Sequence, residues 1–143
     1  MGVSKNKPIN SLSAEWYTDD KFLEKEINQI FLKSWLLVGP EAQISNPGDC
    51  LFQSIVDQPV ICVRQKDNSI KTFFNICRHR AGSFENKKSK NNYLVCKYHG
   101  WTYSINGQLK TPRGFNKSEI ALEELCLKYI NTKIWKGLIF INF

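Results

Sequence analysis

The hydrophobic positions divide the chain into two regimes. Between residues 19 and 33, Leu23, Ile27, Ile30 and Phe31 fall at the three- and four-residue spacing of one helix face, which predicts a helix over that stretch. Thr18 is placed to cap it, and Asp19 and Asp20 suit its positive N-terminal end. From Trp35 onward the period shortens. Runs of apolar and β-branched residues predict strands over 35–38, 50–56, 60–64, 70–75, 93–96, 101–105, 127–130 and 138–143. Pro47-Gly48, Asp67-Asn68 and Asn106-Gly107 mark turns, the last predicting a type I′ hairpin. Residues 1–15 read as an N-terminal arm, and residues 16–143 as one domain with no repeat and no low-complexity linker. Short strands at this spacing predict a mainly β fold: an antiparallel sandwich or small barrel preceded by one helix.

Bulk properties narrow the class. A chain of 143 residues, 42% apolar and 23% charged, can bury a core without disulfide staples and has ordinary globular composition. No apolar run approaches the roughly 18 residues of a membrane span, so no membrane partner is expected. The first residues are polar, with no secretory h-region, and the five cysteines include an odd remainder outside the metal pattern, Cys50, Cys62 and Cys126. Together these predict unpaired thiols in a reducing compartment, the cytoplasm. Cys50 and Cys62 lie in strand-like runs and are expected to be small buried side chains. The net charge of +7 lies mostly in lysine. Lys87, Lys88 and Lys90 cluster in one run, which reads either as a solvated loop tip or as a docking site for an acidic partner. No reader motif accompanies the charge, so nucleic acid is not expected as a partner.

The pointed chemistry is a pair of short motifs. Cys77-Arg78-His79 follows one strand and Cys96-Lys97-Tyr98-His99 another, with sixteen residues between the pairs, and these are the only two histidines of the chain. Each pair offers one thiolate and one imidazole. Zinc accepts such a Cys₂His₂ set, although its sites more often group two cysteines and then two histidines. The repeated Cys-His order suits a binuclear [2Fe–2S] cluster, with both thiolates on one iron and both imidazoles on the other.

The boxes Cys77-Arg78-His79-Arg80-Ala81-Gly82 and Cys96-Lys97-Tyr98-His99-Gly100-Trp101-Thr102-Tyr103 resemble the two cluster-binding boxes of Rieske domains. Trp16-Tyr17, Pro47-Gly48-Asp49 and the ending Gly137 to Asn142 narrow the resemblance. They are similar to the N-terminal domain of α subunits of Rieske non-haem iron oxygenases, the ring-hydroxylating dioxygenases with related monooxygenases and demethylases. The resemblance implies a Rieske-type fold with two cluster-binding loops and Cys77, His79, Cys96 and His99 as cluster ligands. Around them, Gly82 and Gly100 would let backbone N–H groups approach the sulfurs, Tyr98 and Trp101 would shield the cluster, and Arg80 with Arg78 would pair with carboxylates or stay solvated. The extra cysteine of each respiratory Rieske box is replaced here by Gly82 and Tyr98, and the serine of the second box by Trp101. A reduction potential near the low end of the Rieske range, about −150 mV, is expected.

Oxygen activation in that family needs a second iron held by two histidines and a carboxylate. Both histidines here are committed, and the chain ends where family α subunits enter their catalytic domain. The mononuclear-iron domain is therefore expected to be absent, the chain being a fragment, a truncated product or a split subunit. Its expected role is one-electron transfer from a reductase or ferredoxin donor to a mononuclear-iron domain or subunit. The alternative is a free-standing Rieske ferredoxin, a class that lacks the Trp16-Tyr17 arm and the helix.

Overall fold

The computed structural model describes residues 11–85, 89, 92–116 and 121–143; the first ten residues of the arm and the lysines at 87, 88 and 90 lie outside the described residues. The predicted helix is two helices and a turn: α1 (Glu15–Thr18), α2 (Asp20–Gln29) and a 3₁₀ turn at Phe31–Lys33. Asp19 makes the break. Its backbone is extended, and its carboxylate accepts from the Lys21 N–H at 2.9 Å, so Asp19 and not Thr18 caps α2. The Thr18 hydroxyl instead donates back to the Ala14 carbonyl. No residue of α2 is buried, and Leu23 and Ile30 are more than half exposed. The amphipathic stripe is real but has no core of its own to cover.

Nine strands follow: β1 (Leu36–Pro40), β2 (Cys50–Ile55), β3 (Gln58–Arg64), β4 (Ile70–Phe74), β5 (Tyr93–Val95), β6 (Thr102–Ser104), β7 (Leu109–Thr111), β8 (Tyr129–Trp135) and β9 (Leu138–Asn142). They form an antiparallel six-stranded sheet in the order β1-β9-β8-β4-β3-β2 and a three-stranded sheet β5-β6-β7. The large sheet curls until its edges approach: a Cβ on Gly39 of β1 would stand 3.3 Å from Leu51 of β2. The mainly β, near-barrel fold is as expected. β7 was not, because Leu109-Lys110-Thr111 carries a single apolar residue and is a strand only through its pairing with β6.

Turn chemistry differs in an instructive way. At Asn106-Gly107 only the glycine has positive φ, and Ser104 N–H donates to the Gln108 carbonyl at 2.9 Å. The predicted two-residue type I′ turn is therefore a three-residue loop, residues 105–107, ending in a left-handed glycine. The reason lies in packing: Gly107 sits so close to Phe73 of β4 that a Cβ would meet its ring at 2.5 Å. Type I′ geometry occurs instead at Val56-Asp57 (φ 51° and 58°) and at Lys136-Gly137 (48° and 76°), the latter letting β8 run on to Trp135 opposite Leu138.

β3 faces two cores. Val60 and Cys62 point into one with Val38, Ile44, Ile130, Ile139 and Ile141; Ile61 and Val63 point into the other with Phe73, Phe84, Leu94, Trp101 and Tyr103. Cys50 and Cys62 are buried and unpaired, as expected, and burial pushes their thiols up to about 12 and about 11. The second core holds the small sheet, with Cys77 and Cys96, against the barrel.

Valine is poorly suited to the left-handed region that Val56 occupies, a cost on the order of 1 kcal/mol. Replacing Val56-Asp57 by Asn-Gly should raise the unfolding free energy by about 1 kcal/mol without altering the native spectrum. Urea denaturation checks it; unchanged stability would place this loop in another turn type.

Candidate metal centre

Each cysteine opens its loop in the same way. The Cys77 N–H donates to the Gly82 carbonyl (2.7 Å) and the Cys77 carbonyl accepts from the Ala81 N–H (3.0 Å). The Cys96 N–H donates to the Trp101 carbonyl (2.9 Å) and the Cys96 carbonyl accepts from the Gly100 N–H (3.0 Å). Both loops thus close with contacts to the fourth and fifth residues beyond the cysteine. The fourth residue has left-handed backbone in each, Ala81 at φ 54° and Gly100 at φ 72°. Gly100 is therefore matched by Ala81, not by Gly82. Its N–H is spent on the Cys96 carbonyl.

These turns bring the four predicted residues together. Cys77 and Cys96 are 2% and 3% exposed and near enough for Cys96 to push the Cys77 thiol up, while His79 and His99 are half-buried with ring centroids 4.7 Å apart. The donor set is a buried sulfur pair and a half-buried imidazole pair. A binuclear cluster takes two ligands on each metal. Among the described residues the buried Nδ1 atom of His99 has no hydrogen-bond partner, as suits an atom reserved for a metal. A Cβ on Gly82 would stand 2.8 Å from the Cys96 sulfur, so this position is glycine because the sulfur needs the space.

The surroundings hold the rings and tune the sulfurs. Trp101 is buried and lies parallel to His79 at 4.7 Å (7° between planes), with its indole N–H donated to the Arg113 carbonyl at 3.2 Å. Tyr98, expected as a shield, is 65% exposed and stacks on His99 at 3.8 Å. Phe115 meets His79 and Trp101 edge-on. Arg78 and Arg80 are exposed and, among the described residues, form no ion pair; Lys97 pairs with Glu85 across the two loops. Desolvation, the neighbouring His99 and the Arg80 charge hold His79 below the ordinary imidazole range, which favours the neutral ring a metal needs. Burial pushes the Cys77 thiol up, opposed by the Tyr103 hydroxyl 3.5 Å from its sulfur.

Tyr103 closes the second cluster-binding box, but nothing in the sequence assigned it a role. Fully buried, it accepts from the Arg78 N–H (3.1 Å) and has its proton free for Cys77. Burial, then the Cys77 sulfur, pushes its phenol well above the usual range, so it stays a donor. Its signal was only the alternation of β6, which reads equally as a core aromatic. The wall formed by residues 113–115 was likewise illegible, since nothing local ties it to His79.

Residues 34–124 match the Rieske [2Fe-2S] domain family, and the chain belongs to it. The family's Rieske-type [2Fe–2S] cluster is thereby the cofactor of this chain, and the donor set fits it. The benzene 1,2-dioxygenase α subunit of Pseudomonas putida is 37% identical over 130 residues, which is 89% of this chain and 29% of that protein. The glycine betaine monooxygenase oxygenase subunit of Pseudomonas aeruginosa is 34% identical over 133 residues, 92% of this chain and 31% of that one. Among solved structures, the quaternary ammonium Rieske monooxygenase CntA superposes with a TM-score of 0.85 at 27% identity, over 92% of this chain and 38% of that chain. Naphthalene 1,2-dioxygenase superposes at 0.80 with 29% identity, over 89% and 30%. The chain spans about three-tenths of the length of the curated relatives it matches.

Two substitutions probe the sulfur side. Gly82→Ala should yield protein with most of its cluster lost, measured as iron and sulfide per chain, while Ala81→Gly keeps it; full occupancy in Gly82→Ala would show that the approach to Cys96 is not limiting. Tyr103→Phe should keep the cluster and lower its potential by roughly 20–60 mV, the worth of one hydrogen bond of about 0.5–1.5 kcal/mol in a one-electron couple. A potential unchanged in protein-film voltammetry would show that the hydroxyl serves Arg78 alone.

Proposed function

We propose that Cys77 and Cys96 ligate one iron and His79 and His99 the other, and that the domain moves single electrons through this centre. The observation that carries the reading is the segregation of donors, thiols buried in the core and imidazoles half-buried. Half-buried imidazoles leave a short route in and out, and neutral nitrogen ligands make the centre easier to reduce than four thiolates would. Within this reading the domain is the electron-accepting part of a Rieske oxygenase, reduced by a reductase or ferredoxin and oxidised by a mononuclear iron. Ligands for that iron must lie outside these 143 residues, because both histidines are used. The helical segment α1–α2 favours this role over that of a small carrier. Five unpaired cysteines support a cytoplasmic setting, and no described helix is long and apolar enough to cross a membrane.

Purified without oxygen, the protein should be brown, hold two irons and two sulfides, and show on reduction the low average g-value of mixed nitrogen and sulfur ligation. Cys77→Ser and Cys96→Ser should lose the cluster, whereas Ser at Cys50, Cys62 or Cys126 should retain it. His79→Cys or His99→Cys, where the cluster survives, should lower the potential, because a thiolate adds charge. These residues alone, given a donor, should consume no oxygen in response to substrate. Stoichiometric zinc in a colourless protein after iron–sulfur reconstitution, or substrate-dependent oxygen uptake, would refute the reading.

A further inference from the structure

The two cluster loops touch without being tied through their backbones. Among the described residues, no backbone hydrogen bond passes from residues 77–85 to residues 96–100. The loops approach so closely that a Cβ on Gly82 would stand 3.1 Å from the Tyr98 Cβ, a contact with no polar group in it. Across this seam Glu85 and Lys97 meet as an ion pair. Both carboxylate oxygens are engaged, Oε1 accepting from the Ser83 hydroxyl at 3.3 Å and Oε2 from the Lys97 Nζ. Each partner stands beside a fixed point. Glu85 follows Phe84, which is buried against Tyr103 and exchanges two hydrogen bonds with the Asn75 side chain. Lys97 follows Cys96, which is buried and held through its N–H to the Trp101 carbonyl. The other ion pair among the described residues, Arg64 with Glu41, lies outside both loops.

We propose that Glu85 and Lys97 are positioning residues, an ionic strap that keeps the two cluster loops closed over the sulfurs. The inference rests on the cluster reading above and adds to it what resists the parting of the loops. Cys77 and Cys96 are buried, so a small molecule reaches the sulfur side only when the loops separate. A charge-assisted hydrogen bond from one loop to the other opposes that opening. The Lys97 and Glu85 side chains are 56% and 53% exposed, which keeps the contribution modest and sensitive to salt. The pair also cancels its own field beside Cys96. Reduction adds one negative charge to a cluster, so a lone Lys97 would favour the reduced state and a lone Glu85 the oxidised one.

The test follows iron released from the reduced, cluster-loaded protein to bipyridine, an uncharged ferrous chelator, at ionic strengths of about 0.01 M and about 0.5 M. Glu85→Gln, Lys97→Gln and the double variant should each release iron about threefold faster than the parent at low salt, since either change removes the whole pair. At high salt, where the pair is screened, parent and variants should converge. Reversing the pair, Glu85→Lys with Lys97→Glu, should restore the slow release to within about 1.5-fold. Glu41→Gln, which breaks the ion pair outside the loops, should leave release unchanged. The reduction potential gives a second readout: Glu85→Gln should raise it, Lys97→Gln should lower it, and the double variant should return near the parent. A merely loosened fold would not produce shifts of opposite sign. Single variants that release iron at the parent rate at low salt, a reversed pair as fast as the single variants, or effects that add in the double variant overturn the strap. Unsubstituted protein lacking the visible bands of a cluster would overturn the cluster reading itself, and the strap with it.

Discussion

The centre depends on two backbone hydrogen bonds made twice. Each cysteine donates its N–H to the fifth residue beyond it and accepts from the fourth, so both sulfurs are presented from the same tight turn. The turn requires left-handed backbone at its fourth position, which Gly100 adopts freely and Ala81 adopts at some cost. It also places the histidines differently, at the second position after Cys77 and the third after Cys96. That offset lets two equivalent loops present their imidazoles as one pair, ring to ring.

The rest of the domain holds these turns still. β3 is buried on both faces and divides a barrel core of aliphatic residues from a core rich in aromatics. Cys77 belongs to the second, where burial pushes its thiol up, as it does Cys50 and Cys62. What distinguishes Cys77 is the Tyr103 hydroxyl 3.5 Å from its sulfur, which opposes the upward push of burial and of the neighbouring Cys96. The small sheet is fastened to the barrel at points that tolerate no bulk. Gly107 rests on Phe73, and the Gln65 amide donates to the Ile105 carbonyl at 2.8 Å.

Much of this was legible in sequence. Cys77, His79, Cys96 and His99 lie in two short motifs, and motif spacing survives any detail of folding. Strand positions were legible wherever apolar alternation was strong, as in Val60 to Arg64. Failures came where local pattern and tertiary demand parted. Thr18 and Asp19 are both capping residues, and only the extended backbone at Asp19 shows which one caps. Asn106-Gly107 has the composition of a type I′ turn, but contact with Phe73 calls for a longer loop.

Taken alone, the amino-acid sequence determined the donor types, their order, the mainly β class and the family they imply, because each rests on residues near one another in the chain. Tertiary structure decided what depends on distant residues meeting. It set the sulfur pair below and the nitrogen pair above, matched Ala81 with Gly100, and placed Tyr103 against Cys77 and the 113–115 segment against His79. These contacts join residues from the loops after β4 and β5, from β6 and from the segment after β7, whose approach is fixed by a shared core and leaves no periodic trace in any one of them.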